Sequence, residues 1–441
     1  MFAGISFFSI LLILALGVLK KPAIALAGVI CLYGIKQWGM ASSEFLLKNS
    51  KIANFGVAII VVLGIIRLWR SGAGFYYAKK MPAAWVLGLI LYLYAFVSLW
   101  WGPNPSQALE VWGLEYPYML VIAVLAPILV TDLDDIYPMV NWTMLVGSII
   151  GILLVFKANW GGRGIIYYGE VSAFYESNPL ALASMGGTLT VISAMLLFHK
   201  GKVIRWLWLF PVGLLGAWIM LRSGSRGQLG AAAIAIFIGL ILSVRKSIVR
   251  PVLVFGLALF IFVLVGVESL EKYGFSLRRW VSTDQSAQDM AGRYEMAIML
   301  LSYWRSNLLS IVFGLGNSSA FHYIGWYPHI TPLEVLAEEG FVGLVIYLAM
   351  LFFAVREALI GMRIAKFQKN EKLFQVVTLL VALFVFEWVL TLKQGSLLSN
   401  NYMIAYAAIL GRVVYYYEKK SLKSDLVENF SQGKKIVNLC E

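Results

Sequence analysis

Apolar residues come in long blocks along this chain, and polar residues gather between them. Hydrophobic runs fall near 3–19, 22–35, 52–69, 83–100, 115–130, 139–156, 180–198, 205–221, 228–244, 251–267, 341–355, 373–392 and 400–415. Each approaches the roughly 20 residues that a helix needs to cross a ~30 Å hydrocarbon core. In lipid a backbone must satisfy its own hydrogen bonds, which a helix does. The pattern therefore predicts an all-α, polytopic integral membrane protein with about 12–14 transmembrane helices. The runs at 22–35 and 115–130 are short enough to be re-entrant. The apolar start, 1–19, has no basic leader or small-residue cleavage site and is read as a first span.

Basic residues divide the loops into two sets. Lys20 and Lys21, then Arg67, Arg70, Lys79 and Lys80, then Lys200, Lys202 and Arg205, then Arg245, Lys246 and Arg250 mark one side. Arg356, Arg363, Lys366, Lys369 and Lys372 continue the series, as does the tail with Lys419, Lys420 and Lys423. The acidic stretch Asp132–Asp135 falls on this side and breaks the pattern. By the positive-inside rule this side is cytoplasmic. Five regions follow. Residues 1–156 are N-terminal transmembrane helices. Residues 157–267 hold further helices, a first outer loop at 157–178 and the Ser225-Arg226-Gly227 motif. Residues 268–340 form a large outer loop, 341–415 the C-terminal transmembrane helices, and 416–441 a cytoplasmic tail.

Composition agrees with the pattern. The 441 residues are 60% hydrophobic and 13% charged, with a mean hydropathy of +0.80. A soluble chain carries roughly 25% charged residues. The net charge of +13 sits in short loops rather than in a basic domain, so it does not point to nucleic acid. Two cysteines, Cys31 and Cys440, supply no disulfide framework, and three histidines are too few and scattered for a metal cluster. No metal and no cofactor is expected.

The informative polar residues lie on the outer side. Arg226 follows one apolar run and opens the next. An arginine at mid-membrane costs roughly 2.5–3.5 kcal/mol, less at the interface. Snorkelling would explain it, with Arg222 as its twin. The small neighbours Gly224, Ser225 and Gly227 add a second reading, since they let a ligand approach the backbone. Arg293 lies on an amphipathic stretch from Gly292 to about Asn307, expected as an interfacial helix, with Arg278 and Arg279 upstream. Guanidinium forks suit the paired oxygens of a diphosphate, and a lipid-headgroup face is the plainer alternative. His329 lies between Pro328 and Pro332, at the mouth of a helix. Its ordinary pKa near 6.5 suits a general base for a sugar hydroxyl. His322, seven residues earlier, is the competing histidine. Glu338 and Glu339 are expected to favour the start of the next helix electrostatically. Most aromatic residues in the outer segments read as an interfacial belt.

Taken in order, these motifs resemble the O-antigen ligase/polymerase superfamily. The resembling features are Ser223-Gly-Ser-Arg226-Gly227 with Ala231, then Gly292-Arg293, then Gly314-Leu-Gly316. His329, Leu333, Leu336, Glu338 or Glu339, Gly340 and Gly343 complete them. Ile330 stands where that family often has asparagine. Arg163 followed by Asn178-Pro179 is similar to the family's first periplasmic loop, and the likeness covers roughly 155–400. It implies a GT-C-like, metal-independent glycosyltransferase of the bacterial inner membrane with a periplasmic active site. The donor would be a glycan on undecaprenyl diphosphate. Arg226 and Arg293 would hold the diphosphate, with Arg163, Arg222, Arg278, Arg279 and Glu339 as further substrate contacts, and His329 would activate the acceptor hydroxyl. The partners implied are the lipid-linked glycan donor, a glycan or lipid A core acceptor, membrane lipids and a chain-length regulator. Only 36 positions separate Arg293 from His329, which favours a polymerase of lipid-linked repeats over a ligase to lipid A core. Leu392–Leu397 also resembles polysaccharide polymerases. A flippase remains the competing class, but it needs cations lining a central cavity and pseudo-symmetric halves, and no repeat is visible.

Overall fold

The computed structural model describes residues 2–72, 81–130, 132–161, 164–167, 175–176, 178–197, 203–243 and 283–431. The expected span 251–267, Arg163, Arg278 and Arg279 lie outside the described residues.

The architecture is all-α. The first half contains α1 (Phe2–Lys20), α2 (Ala25–Ile30), α3 (Leu32–Ser42), α4 (Glu44–Lys48), α5 (Lys51–Arg70), α6 (Ala83–Ser98), α7 (Pro105–Tyr118) and α8 (Ile136–Lys157). Then come α9 (Pro179–Leu197), α10 (Val203–Arg222), α11 (Arg226–Ser243), α12 (Thr283–Trp304), α13 (Leu308–Phe313) and α14 (Ser319–Tyr323). The chain closes with α15 (Thr331–Glu338), α16 (Gly340–Phe367), α17 (Glu371–Thr391) and α18 (Asn401–Ser431). One small antiparallel ladder pairs Ile166 with Glu176 and Tyr167 with Tyr175.

Among the described residues, eight helices are long and apolar enough to cross a membrane, or nine with a bent pair counted as one span. Of the other expected runs, 251–267 lies outside the described residues, and the rest fall short of that length and composition for local reasons. The α1 and α10 apolar stretches, Gly4–Lys20 and Leu207–Arg222, are slightly short. The run at 22–35 is broken, its two helical pieces meeting at 61° near Cys31. In α18 five tyrosines and Arg412 dilute an otherwise apolar helix. The run at 115–130 belongs instead to a continuous 25-residue helix, Pro105–Leu129. Within it Pro117 removes a helix N–H, and the turns from Met119 to Leu125 adopt the wider π spacing.

The spans pack around α17, the most enclosed of them. Small residues bring helices close: Gly186 of α9 meets Gly216 of α10 backbone to backbone. Some polar side chains in this interior are satisfied locally. The hydroxyls of Thr143 and Thr378 donate to carbonyls one turn back, at 2.8 and 3.0 Å.

The two ends of the bundle differ. At one end Lys21 pairs with Asp135 at 3.9 Å, Arg67 donates to the Leu19 carbonyl, and Arg412 donates to the Val130 carbonyl at 2.8 Å. The other end gathers the α10–α11 turn, α12 to α15, and the loop between α17 and α18. Functional candidates concentrate there.

Candidate functional site

The site grows from the first turn of α11. Gly224, in left-handed backbone at φ 61°, turns the chain out of α10 and lets α11 start at Arg226. Ser225 Oγ donates to the side-chain carbonyl of Gln228, which is fully buried. Gln228 Nε2 in turn donates to the Leu180 carbonyl at 3.2 Å and to Gln394 Oε1 at 2.6 Å. These bonds lock the start of α11 to the start of α9 and to the α17–α18 loop.

Arg293 enters from α12. Its Nη1 donates to the carbonyl of Lys393 at 2.8 Å. Lys393 in turn lies over α11, its side chain filling the space that a Cβ on Gly227 would occupy. Arg226, Arg293 and Lys393 are therefore neighbours around one loop, although they come from segments far apart in sequence.

His329 closes the arrangement. It is half-buried, and its backbone is left-handed at φ 60°, a conformation that costs a non-glycine residue of order 1 kcal/mol or more. Pro328 before it is buried, and Pro332 sits in the first turn of α15, as the sequence predicts. The Tyr327 ring packs edge-on against the imidazole with centroids 4.4 Å apart. Nδ1 is buried with no hydrogen-bond partner. Burial first, and the Arg293 charge second, push the His329 pKa down to about 4. The imidazole is thus neutral at neutral pH. His322 is exposed on α14, stacked edge-on against Tyr323.

Behind His329, α15 and the residue that follows it carry three buried carboxyl groups. Glu334 Oε1 accepts from Leu397 N at 3.1 Å, tying α15 to the loop that holds Lys393. Glu338 accepts from Ser318 N and Ala320 N at 2.7 and 2.8 Å. Glu339 accepts from Asn317 Nδ2 at 2.7 Å, and Asn317 also bonds Trp112 and Ser98. Burial raises all three carboxyls; the Glu338 charge adds to this at Glu334 and Glu339. These hydrogen bonds are a role beyond the expected electrostatic one at the helix start. Glu339 occupies the N-cap position of α16 without a side-chain cap bond, because both carboxylates turn inward to hold the 314–320 segment. Gly340, at φ 68°, makes that possible: a Cβ there would strike the Gly314 and Val312 backbone. Glu339 is fully buried.

Of the sequence candidates, Arg293 bonds the loop that lies over Gly227, the residue after Arg226, and its charge reaches His329. Arg222 is buried nearby in sequence, its guanidinium 5.2 Å from the Trp160 ring centre, and Trp160 packs edge-on against Trp218. Sequence reasoning noted the Leu392–Leu397 run but gave its Lys393 and Gln394 no role, and it missed Gln228. The one signal for them was a polar Lys-Gln pair wedged between two apolar runs. A search of protein-family models and one of curated proteins found no match to this chain.

Proposed function

We propose that this protein is a glycosyltransferase of the bacterial inner membrane. It moves a glycan from undecaprenyl diphosphate to a sugar hydroxyl on the periplasmic side. In this reading it resembles the O-antigen ligase/polymerase superfamily and has a GT-C-like fold. The observation that carries the reading is Arg293 bonded to the loop over the start of α11, where Arg226 lies, with its charge reaching a neutral His329 at the same end of an apolar bundle. Cations beside the membrane surface suit a lipid-linked diphosphate. A neutral imidazole suits proton removal from an acceptor hydroxyl.

The chemistry balances without a further reactant. The acceptor oxygen attacks the anomeric carbon of the donor sugar as His329 takes its proton. The bond between that carbon and the diphosphate oxygen breaks, and the electron pair leaves on the diphosphate. Arg226 and Arg293 stabilise the charge that develops there, and such fixed electrostatic stabilisation is usually what lowers the barrier most. The proton then passes from His329 to solvent or to the departing diphosphate.

Growth of a lipid-linked repeat is the preferred reaction, because the segment between Arg293 and His329 is short. Transfer to lipid A core is the second reading. A flippase is the third; it fits less well, because the three groups sit at one end of the bundle rather than along a central path. Purified protein given a lipid-linked repeat unit separates them. Longer products support polymerisation, transfer only onto lipid A core supports ligation, and lipid movement across vesicles without bond formation overturns the enzyme reading.

A further inference from the structure

We infer that Lys393 is a third cationic ligand of the donor diphosphate, held in place by Gly227 and Arg293. The inference rests on the diphosphate reading of the site and names a residue that reading does not require.

Lys393 lies in the short loop between α17 and α18. Two contacts fix its position. Its carbonyl accepts from Arg293 Nη1 at 2.8 Å. Its side chain, from Cδ to Nζ, lies against Gly227 in the first turn of α11, in space that any Cβ at 227 would fill. The adjacent Gln394 accepts from buried Gln228 at 2.6 Å, and Leu397 N is held by buried Glu334 at 3.1 Å. The loop is therefore pinned on three sides.

The electrostatics of that placement favour an anion. The first turn of a helix is its positive end, where a cation is disfavoured. Arg226 occupies that same turn, and Arg293 touches the Lys393 backbone. Three cations and a helix N-terminus converge on one small region. A diphosphate, which carries two or more negative charges, complements such a cluster. A compact ammonium complements the two forks: guanidinium groups bridge pairs of phosphate oxygens, while an ammonium binds as a point charge between the two phosphates.

Binding of farnesyl diphosphate, a water-soluble prenyl diphosphate, to the detergent-purified full chain tests this by calorimetry, with farnesol as the control for the prenyl tail. Lys393→Ala and Lys393→Gln should weaken farnesyl diphosphate binding about tenfold or more, the scale of one hydrogen bond to a charged group. Farnesol binding should not change. Lys393→Arg should recover part of the loss. Gly227→Ala removes no charge, and the flexible lysine end can swing aside, so this variant should fold and still weaken binding. Size-exclusion profiles and thermal midpoints confirm the fold of each variant. If Lys393→Ala binds like the parent while Arg226→Ala and Arg293→Ala bind weakly, the Lys393 assignment is overturned and the diphosphate reading stands. If the parent binds farnesyl diphosphate no better than farnesol, both are overturned.

Discussion

His329 is the most constrained of the candidate side chains. Three independent features single it out from His322: half-burial, a left-handed backbone and an unsatisfied buried Nδ1. Under the glycosyltransferase reading, His329→Ala should slow single-turnover transfer by ~10²–10⁴-fold while donor binding persists. His322→Ala should stay near the parent rate, and a dead His322→Ala would reverse the assignment. The pH dependence has a definite sign. A base must be neutral to act, so activity falls as pH drops through its pKa. Burial and Arg293 push that value down to about 4, with the Tyr327 ring as the other close neighbour. The acid limb of kcat/KM, which reports the free enzyme, should therefore lie well below the ordinary histidine range. Bound diphosphate offsets the Arg293 charge, so the acid limb of kcat should lie higher. Equal limbs would show that Arg293 does not meet the donor. Arg226 stood out in the sequence because an arginine that opens an apolar run is costly, and Arg293 and His329 because they lie in the long polar segment between spans. The role of Lys393 was not legible: the Leu392–Leu397 run stood out, but a lysine in a loop between spans looks like any interfacial anchor, and its partner Gly227 lies far away in the chain.

Among the helices, α15 links the catalytic candidates to the rest of the outer end. Glu334 holds the Lys393 loop, while Glu338 and Glu339 hold the 314–320 segment. Carboxyls raised in the folded state bind protons more tightly there than in the unfolded chain. Their contribution is complete below the ordinary glutamate range and is lost as pH rises through the raised values. The thermal midpoint of the detergent-purified protein should therefore fall as the medium becomes alkaline. Glu339→Gln keeps an acceptor for Asn317 and removes the charge, so it should flatten that decline; an unchanged slope would show that another group is responsible. Glu338→Ala leaves the Ser318 and Ala320 N–H groups buried without partners and should cost about 1–3 kcal/mol for each. Sequence pattern announced the start of α15 through Pro332 and the turn through Gly314 and Gly316. It assigned the glutamates a helix-end role, because Asn317, which bonds Glu339, is itself held by Trp112 and Ser98 from distant helices.

Across the molecule, the apolar blocks made the helices legible, and the charges between them implied two faces. Breaks inside blocks were harder to read. The bend near Cys31 has no proline or glycine at the break itself, and the π turns after Pro117 continue an unbroken apolar run. The two-faced arrangement leads to a test that does not depend on the chemistry. His322 is exposed at the end that holds Arg226 and Arg293, because the segment from 314 to 320 is bonded to α15 beside the start of α16. Gln368 is exposed just past the other end of α16. That helix has 28 residues and, at 1.5 Å per residue, reaches about 42 Å, more than a hydrocarbon core. The basic residues Arg363, Lys366, Lys369 and Lys372 cluster at the Gln368 end, which the positive-inside rule places in the cytoplasm. In a background without Cys31 and Cys440, His322→Cys should react with a membrane-impermeant maleimide in intact cells once the outer membrane is opened. Gln368→Cys should react only after the inner membrane is broken. Labelling of both in intact cells would mean that α16 does not separate two compartments. Labelling of Gln368→Cys alone would place the arginine and histidine cluster in the cytoplasm, where a periplasmic polymerase or ligase could not use it.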